Sequence, residues 1–287
     1  MDNVAVPLEG WAWGLDFGLW GKSDGLPVGV VYPLVGHLLD AAGVAYRLWD
    51  LHLTEPQRRT VVSGLGLDPD AGDGHVRARG LLACWAGWHD LGKITQSFQV
   101  KDKTARARLS GYTERIAEGP RVTHGWATHL ALAGMLPDRG YDAAGDGLAA
   151  TSPARRVAQL LGGHHGRFFA QPLRRELRHA SLRQRSLGAG KWEEQRVAHV
   201  TAVAAVVGEP AAPAALSVGA AVLVAEVVVL ADWLASQKRH VVGQLAAVET
   251  RGELEVREHW ARALAAAPVL IAEAGLGVPE WKDTPLV

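Results

Sequence analysis

Leu81-Leu82-Ala83-Cys84-Trp85-Ala86-Gly87-Trp88-His89-Asp90-Leu91-Gly92-Lys93 is an apolar run that ends in an adjacent imidazole and carboxylate, then a glycine and a lysine. The pattern predicts a helix from about Val76 to Leu91 with His89 and Asp90 in its final turn. Gly92 falls where a helix commonly ends on a left-handed residue. A His-Asp pair arises by chance about 0.6 times in a chain of this composition, so the pair alone says little. Its weight comes from what recurs around it.

Working outward, the same combination of an apolar helix and a lone polar group appears four more times. Pro33 can open a helix whose Leu34, Leu38, Ala41, Ala45 and Leu48 share one side, with His37 beside that stripe. Thr123 can cap a helix that continues through Leu136, which puts His124 in its first turn. Ser152 and Pro153 start a helix that ends at Gly162-Gly163, immediately before His164-His165. Asp232 follows Val222 to Leu230, where Glu226 is the one polar neighbour. An isolated buried charge costs several kcal/mol, which a metal ion shared by these groups would remove; for Asp232 a capped helix end or a surface carboxylate is the plain alternative of equal weight.

Helical periodicity continues through Lys191–Val207, Pro213–Ser236 and Glu253–Ala274, and sustained alternation is scarce. Val222–Leu230 competes as a strand. The fold class expected is all-α, a helical bundle with a dinuclear metal site in its core. No repeat, heptad run or linker divides residues 1–287, which read as one domain. At 48% hydrophobic residues the chain can build a substantial core. Lys plus Arg and Asp plus Glu both total 30, so no global field draws the molecule to a polyanion, and nucleic-acid contact must use local patches. The single cysteine, Cys84, excludes an intrachain disulfide framework and suits a reducing compartment. Asp2, Glu9 and Asp16 leave the N-terminus unlike a secretory signal. Pro210–Ala225 reads as too short and interrupted to span a bilayer, so the expectation is a cytoplasmic protein without a membrane partner.

Imidazole and carboxylate donors together suit first-row ions such as Mn, Fe, Co, Ni or Zn. Seven such groups exceed one tetrahedral site. Two ions about 3.5 to 4 Å apart, bridged by one carboxylate and a water, would share them and generate a hydroxide nucleophile near neutral pH. Asp90 is the bridging candidate.

Several strings, taken together and in order from Trp20 to Ser236, resemble the HD nuclease domain of the type I CRISPR-associated nuclease-helicase. They are Trp20-Gly21-Lys22-Ser23, Tyr32-Pro33-Leu34-Val35-Gly36-His37-Leu38-Leu39-Asp40, His89-Asp90-Leu91-Gly92-Lys93, Gly163-His164-His165-Gly166-Arg167-Phe168 and Ala231-Asp232-Trp233. The His-Asp-x-Gly-Lys core marks HD hydrolases in general; the Lys-Ser string, the Pro-x-x-x-His-Leu-Leu-Asp helix and the His-His-Gly-Arg-Phe turn are much more specific to the CRISPR branch. The resemblance implies a metal-dependent nuclease that cuts single-stranded DNA by attack of a metal-bound hydroxide on the phosphodiester. It also implies a helicase domain or subunit and a guide-RNA surveillance complex as partners. One of two divalent ions (Mn, Fe, Co or Ni) would be held by His37, His89, Asp90 and Asp232. The other would be held by Asp90, His124, His164 and His165. Lys93 would sit near the scissile phosphate or orient Asp90.

Gly125 stands where relatives often carry an acidic residue, which makes His129 a fallback for His124. No Gly-x-x-x-x-Gly-Lys-Ser/Thr loop is present, so the expectation is a stand-alone subunit or an excised domain that does not unwind duplexes. Residues 237–287 would pack on the core or lead toward a helicase.

Lys22, Ser23, Arg167, Arg174 and Arg175 are the candidate DNA contacts. Arg178, Arg183, Arg185 and Lys191 extend that patch, and Lys101, Lys103, Arg106 and Arg108 form a second. A solvated face is the plain alternative for each. Trp11, Trp13, Trp88 or Trp192 could stack unpaired bases, whereas Trp85 and Trp233 read as packed core. His52, His75, His179, His199, His240 and His259 show no partner at ligand spacing. Two other functions compete: an HD phosphohydrolase acting on nucleotides or cyclic dinucleotides, and a non-catalytic module that metal merely folds.

Overall fold

Pro33 closes one short strand and caps the first helix. The strands Trp20–Lys22 (β1) and Tyr32–Pro33 (β2) pair antiparallel, with Trp20 opposite Pro33 and Lys22 opposite Tyr32. Helix α1, Leu34–Leu51, begins directly after Pro33, and its Leu34, Leu38, Ala41, Ala45 and Leu48 are all fully buried. The computed structural model describes residues 13–112, 122–142, 152–171, 179, 185–251 and 255–277, with backbone alone for 248–251.

Helix α2, Glu55–Gly64, is announced by Thr54, whose backbone N–H donates to Gln57 Oε1 at 2.8 Å. That reciprocal cap, Thr-x-x-Gln, is a helix-start signal that the periodicity reading passed over. Helix α3 spans Gly74–Trp88. Two short helices, α4 (Gln96–Gln99) and α5 (Lys103–Ala107), precede α6, His124–Met135. Thr123 caps α6 as expected, its hydroxyl accepting from the Trp126 amide at 3.3 Å. Helix α7 is Pro153–Gly162 and α8 is Lys191–Val207, both at the positions the sequence predicts.

The chain is helical throughout its described core, and the two-stranded ribbon is the one sheet among the described residues. Val222–Leu230 is helix, not strand: α9 runs Val218–Ala235, capped by Ser217, and packs on α1, α2 and α3. A β-branched run takes helical form here because its buried valines, Val224, Val227 and Val228, recur at helical spacing against that core. The helix starts after both prolines and is 18 residues long, so by length and apolarity it qualifies as a membrane span, against the expectation of an interrupted stretch. In this fold it is a wall of the core and presents the buried Asp232. Two further helices follow, α10 (Lys238–Arg251), which the periodicity did not single out, and α11 (Val256–Glu273), which lies along α1.

A polar knot fastens α10 and α11 to α1. Tyr32 donates its hydroxyl to Asp40 Oδ2 at 2.5 Å, and His259 Nε2 lies 3.0 Å from Asp40 Oδ1. His240 Nε2 is 3.3 Å from Asp40 Oδ2. Burial raises the pKa of Asp40, but His259 and His240 outweigh it and hold the carboxyl well below the usual range. His240 and His259, expected to be ordinary, are therefore structural partners of one buried carboxylate. The sequence offers no local sign of this because the partners lie some 200 residues away.

His199 on α8 is fully buried, with Nδ1 2.8 Å from the Gln195 carbonyl. Burial lowers its pKa to about 4. The unfolded chain, with an ordinary value near 6.5, takes up the proton first, so stability present above that pH is lost as pH falls toward 4. Urea unfolding of wild type and His199→Leu at pH 7 and pH 5 should show wild type losing about 2 kcal/mol more than the variant. Parallel losses would contradict this assignment.

Candidate metal centre

Helix α3 stops at Trp88. His89 still has helical angles, but Asp90 leaves them at φ −103° and ψ 16°, and a 3-10 turn follows at Leu91–Lys93. His89 and Asp90 are thus at a helix end, not within a continuous final turn. The break lets two adjacent side chains face one centre, which consecutive positions of a regular helix cannot do. Gly92 does not adopt the left-handed conformation expected of it. It is needed for close approach: a Cβ there would run into the carbonyl oxygen of His124 and lie 2.5 Å from the Thr128 amide nitrogen. Thr128 ties the same junction, accepting from the Gly92 amide at 2.8 Å and donating to the His89 carbonyl at 2.9 Å. That contact seats the start of α6, and with it His124, against the His-Asp turn. Thr128 escaped the sequence reading because a helical threonine carries no signal of its own.

Five elements converge on Asp90. Its Oδ2 lies 3.1 Å from His37 Nε2 on α1 and 3.3 Å from His89 Nε2. Its Oδ1 lies 3.5 Å from His124 Nε2 on α6 and 3.5 Å from His164 Nε2 after α7. Asp232 on α9 closes the first group, with Oδ1 3.3 Å from His37 Nε2 and 3.4 Å from His89 Nε2. His165 closes the second, its Nε2 2.7 Å from that of His124. All seven predicted side chains are therefore brought together, in two groups of donors within 4.8 Å of one another, His37-His89-Asp90-Asp232 and His124-His164-His165. The first group is buried throughout, whereas His165 is exposed.

The backbone aims two of the rings. His89 Nδ1 donates to the Ala86 carbonyl and His164 Nδ1 to the Leu161 carbonyl, each at 2.6 Å. A carbonyl can only accept, so each Nδ1 carries its proton and each Nε2 is left facing the centre. Burial lowers the pKa of His89, but Asp90 and Asp232 outweigh it and raise it to about 9. Burial lowers that of His124 to about 3, despite Asp90. Burial raises both carboxylates, yet Lys93 and His89 hold Asp90 well below its ordinary value, and His89 and His37 do the same for Asp232. His89 Nε2, His164 Nε2 and Asp90 Oδ1 are buried without a hydrogen-bond partner. Orphaned donor atoms of this kind, facing one another around two carboxylates, fit divalent cations of the borderline class.

Lys93 is buried, donating to the Gly21 carbonyl at 2.8 Å and lying 2.5 Å from Asp90 Oδ2. Of its two predicted roles the geometry suits orienting Asp90, with which its ammonium is already paired. Lys22 is likewise turned inward, 3.3 Å from Asp232 Oδ1, and Ser236 donates to the same oxygen at 2.9 Å. Ser23 is partly exposed beside Lys22, and Arg167 is exposed, with its guanidinium 5.7 Å from the Phe169 ring. Arg174, Arg175, Arg178 and Arg183 lie outside the described residues, as does Trp11. Lys191 is engaged with Asp16 at 2.8 Å, while Lys101, Lys103 and Arg108 are exposed. His129 is not needed as a fallback: its Nε2 lies 3.3 Å from Gln171 Oε1. Trp88 and Trp192 are buried and so closed to bases, and Trp233, expected in the core, is 65% exposed.

The profile described as Cas3, HD domain matches residues 20–241. The CRISPR-associated nuclease/helicase Cas3 of Streptococcus thermophilus is 26% identical over 151 residues, which is 47% of this chain and 14% of that protein. T. fusca Cas3 with ATP superposes with a TM-score of 0.78 at 35% identity, over 93% of this chain and 28% of that one. The Thermus thermophilus cas3 HD domain, solved in the presence of Ni2+, gives a TM-score of 0.60 at 25% identity over 90% of each chain. This chain thus spans less than a third of the longer relatives.

Metal-stripped protein given nickel or manganese at about a hundred times Kd should melt about 5 to 10 °C higher. Asp90→Asn should lose most of that shift, and a variant that keeps it would remove Asp90 from the centre.

Proposed function

The chain belongs to the Cas3 HD-domain family, and from that premise we propose that it is a metal-dependent nuclease that cleaves single-stranded DNA in type I CRISPR interference. The observation that carries the reading is the position of Asp90, whose two oxygens face two separate groups of histidines. In this reading His37, His89, Asp90 and Asp232 hold one divalent ion, and Asp90, His124, His164 and His165 hold a second. Mn, Fe, Co and Ni all suit that donor set. Such ions supply Lewis acidity toward a phosphodiester and lower the pKa of a water ligand.

The chain's own residues do the rest. Lys93 and the Gly21 carbonyl fix the rotamer of Asp90, so one carboxylate can serve both groups. Ser236 and Lys22 hold Asp232 in the same way. His165 is the exposed member of the set, and the Gly166-Arg167 turn follows it, so the substrate strand enters from that side with Arg167 available to its backbone. We read residues 1–287 as one HD nuclease domain in the cytoplasm, serving a helicase domain or subunit and a guide-RNA surveillance complex.

Circular single-stranded DNA tests the reading, since only internal cutting opens it. Metal-stripped protein resupplied with Mn, Fe, Co or Ni should cleave the circle, and Asp90→Ala should lower the rate at least about a thousandfold. Folded protein that cleaves under none of these metals would overturn the nuclease assignment.

A further inference from the structure

An apolar groove of about 350 Å³ adjoins the metal centre and shares His164 with it. Leu160, Gly163, Phe168, Val229 and Trp233 form the rest of the walls that matter here. Two large aromatic side chains stand open to solvent at it, Trp233 at 65% and Phe168 at 59% exposure. Both are tied to the centre by the chain: Trp233 directly follows Asp232, and Phe168 is the third residue after His165. Adjacent helical positions diverge by about 100°, so while Asp232 faces the centre, Trp233 faces the groove. Phe168 lies against Gly163, where a Cβ would collide with its ring, so this side of the groove is held in place.

Charge selects the occupant. Arg167 is exposed directly before Phe168, and the acidic lining residue, Glu226, is already paired with His52 Nε2 at 3.1 Å. These walls suit an occupant that is flat and apolar on its faces, continuous with a group at the His164 end and, with Arg167 next to Phe168 in sequence though not lining the groove, able to carry an anionic edge. A nucleobase joined to its backbone phosphate has those three properties. The exposed stripe continues along α9 through Val222 at 64% and Val218 at 72%, but that part has neither an aromatic ring nor a cation.

We propose that Trp233 and Phe168 form a base-stacking subsite that seats a nucleotide neighbouring the scissile phosphate. The inference rests on the nuclease reading of the same centre. Stacking needs an unpaired base and is tolerant of its identity, so the subsite would favour single strands over duplexes without reading sequence.

Fluorescence anisotropy on metal-stripped protein separates the two ideas, because it needs no cleavage. A labelled dT oligomer should bind Trp233→Ala about tenfold more weakly than wild type, with Trp233→Phe close to wild type and Phe168→Ala between them. An oligomer of abasic sites should bind weakly and be indifferent to all three substitutions. Val222→Asp, on the same helix away from the groove, should leave the affinity unchanged. With metal restored, the KM for the dT oligomer should rise in Trp233→Ala, while kcat/KM for cleavage of the abasic oligomer, which has no ring to stack, stays at the wild-type value. Equal affinities for wild type and Trp233→Ala in a protein that cuts DNA would overturn the subsite and return the groove to a protein partner. Equal losses in Val222→Asp would do the same. Base-dependent binding by a protein that cuts nothing under any metal would leave the subsite standing and sink the nuclease reading.

Discussion

Asp90 is a carboxylate with almost no access to water, and taking such a charge out of water costs far more than any single hydrogen bond returns. Everything around it answers that cost. Lys93 and His89 reach it from its own turn, and His37, His124 and His164 approach from three other segments of chain. Helices α1, α6, α7 and α9 meet where they do because each ends or passes at a residue that must face this one carboxylate or its neighbour Asp232. Hydrophobic packing alone would not specify that convergence, since apolar faces tolerate sliding that a fixed set of donors does not.

The surrounding shell shows the same logic one layer out. Carbonyls of Ala86 and Leu161 orient His89 and His164, and Ser236 and Lys22 hold Asp232. Gly92 and Thr128 seat the start of α6 on the His-Asp turn, because a side chain at position 92 would occupy the space of the His124 carbonyl. Three residues beyond His37 on α1, Asp40 makes its own buried knot with Tyr32, His240 and His259. One helix therefore carries two buried acid-histidine assemblies. One faces the candidate metal centre and the other fastens the described C-terminal helices, α10 and α11, to the helix that presents His37.

Legibility in the sequence followed distance along the chain. Local signals were readable: Thr123 as a cap, Pro33 and Pro153 as helix openers, and the apolar spacing of α1, α8 and α9. Signals that depend on a remote partner were not. His240 and His259 look ordinary beside their neighbours and become partners of Asp40 only across some 200 residues. Trp233 sits in a strongly apolar helix and would be assigned to the core on composition, yet it is exposed on the same face of α9 as Val218 and Val222. Gly92 was legible as a required glycine, but for the wrong reason, since its role is set by the backbone of α6 and not by its own dihedral angles.

By itself the sequence determined the helical class and the bounds of α1, α6, α7 and α8, because these rest on local periodicity and capping, and it carried the motif strings in which the resemblance to HD nucleases and the seven candidate donors were read. Only the tertiary structure decided that Asp90 turns one oxygen to each group of histidines, that Lys93 is buried behind it, and which tryptophans face water. Those are questions of which surfaces meet. A chain's pattern states what each segment must bury, and the packing of remote segments decides against what.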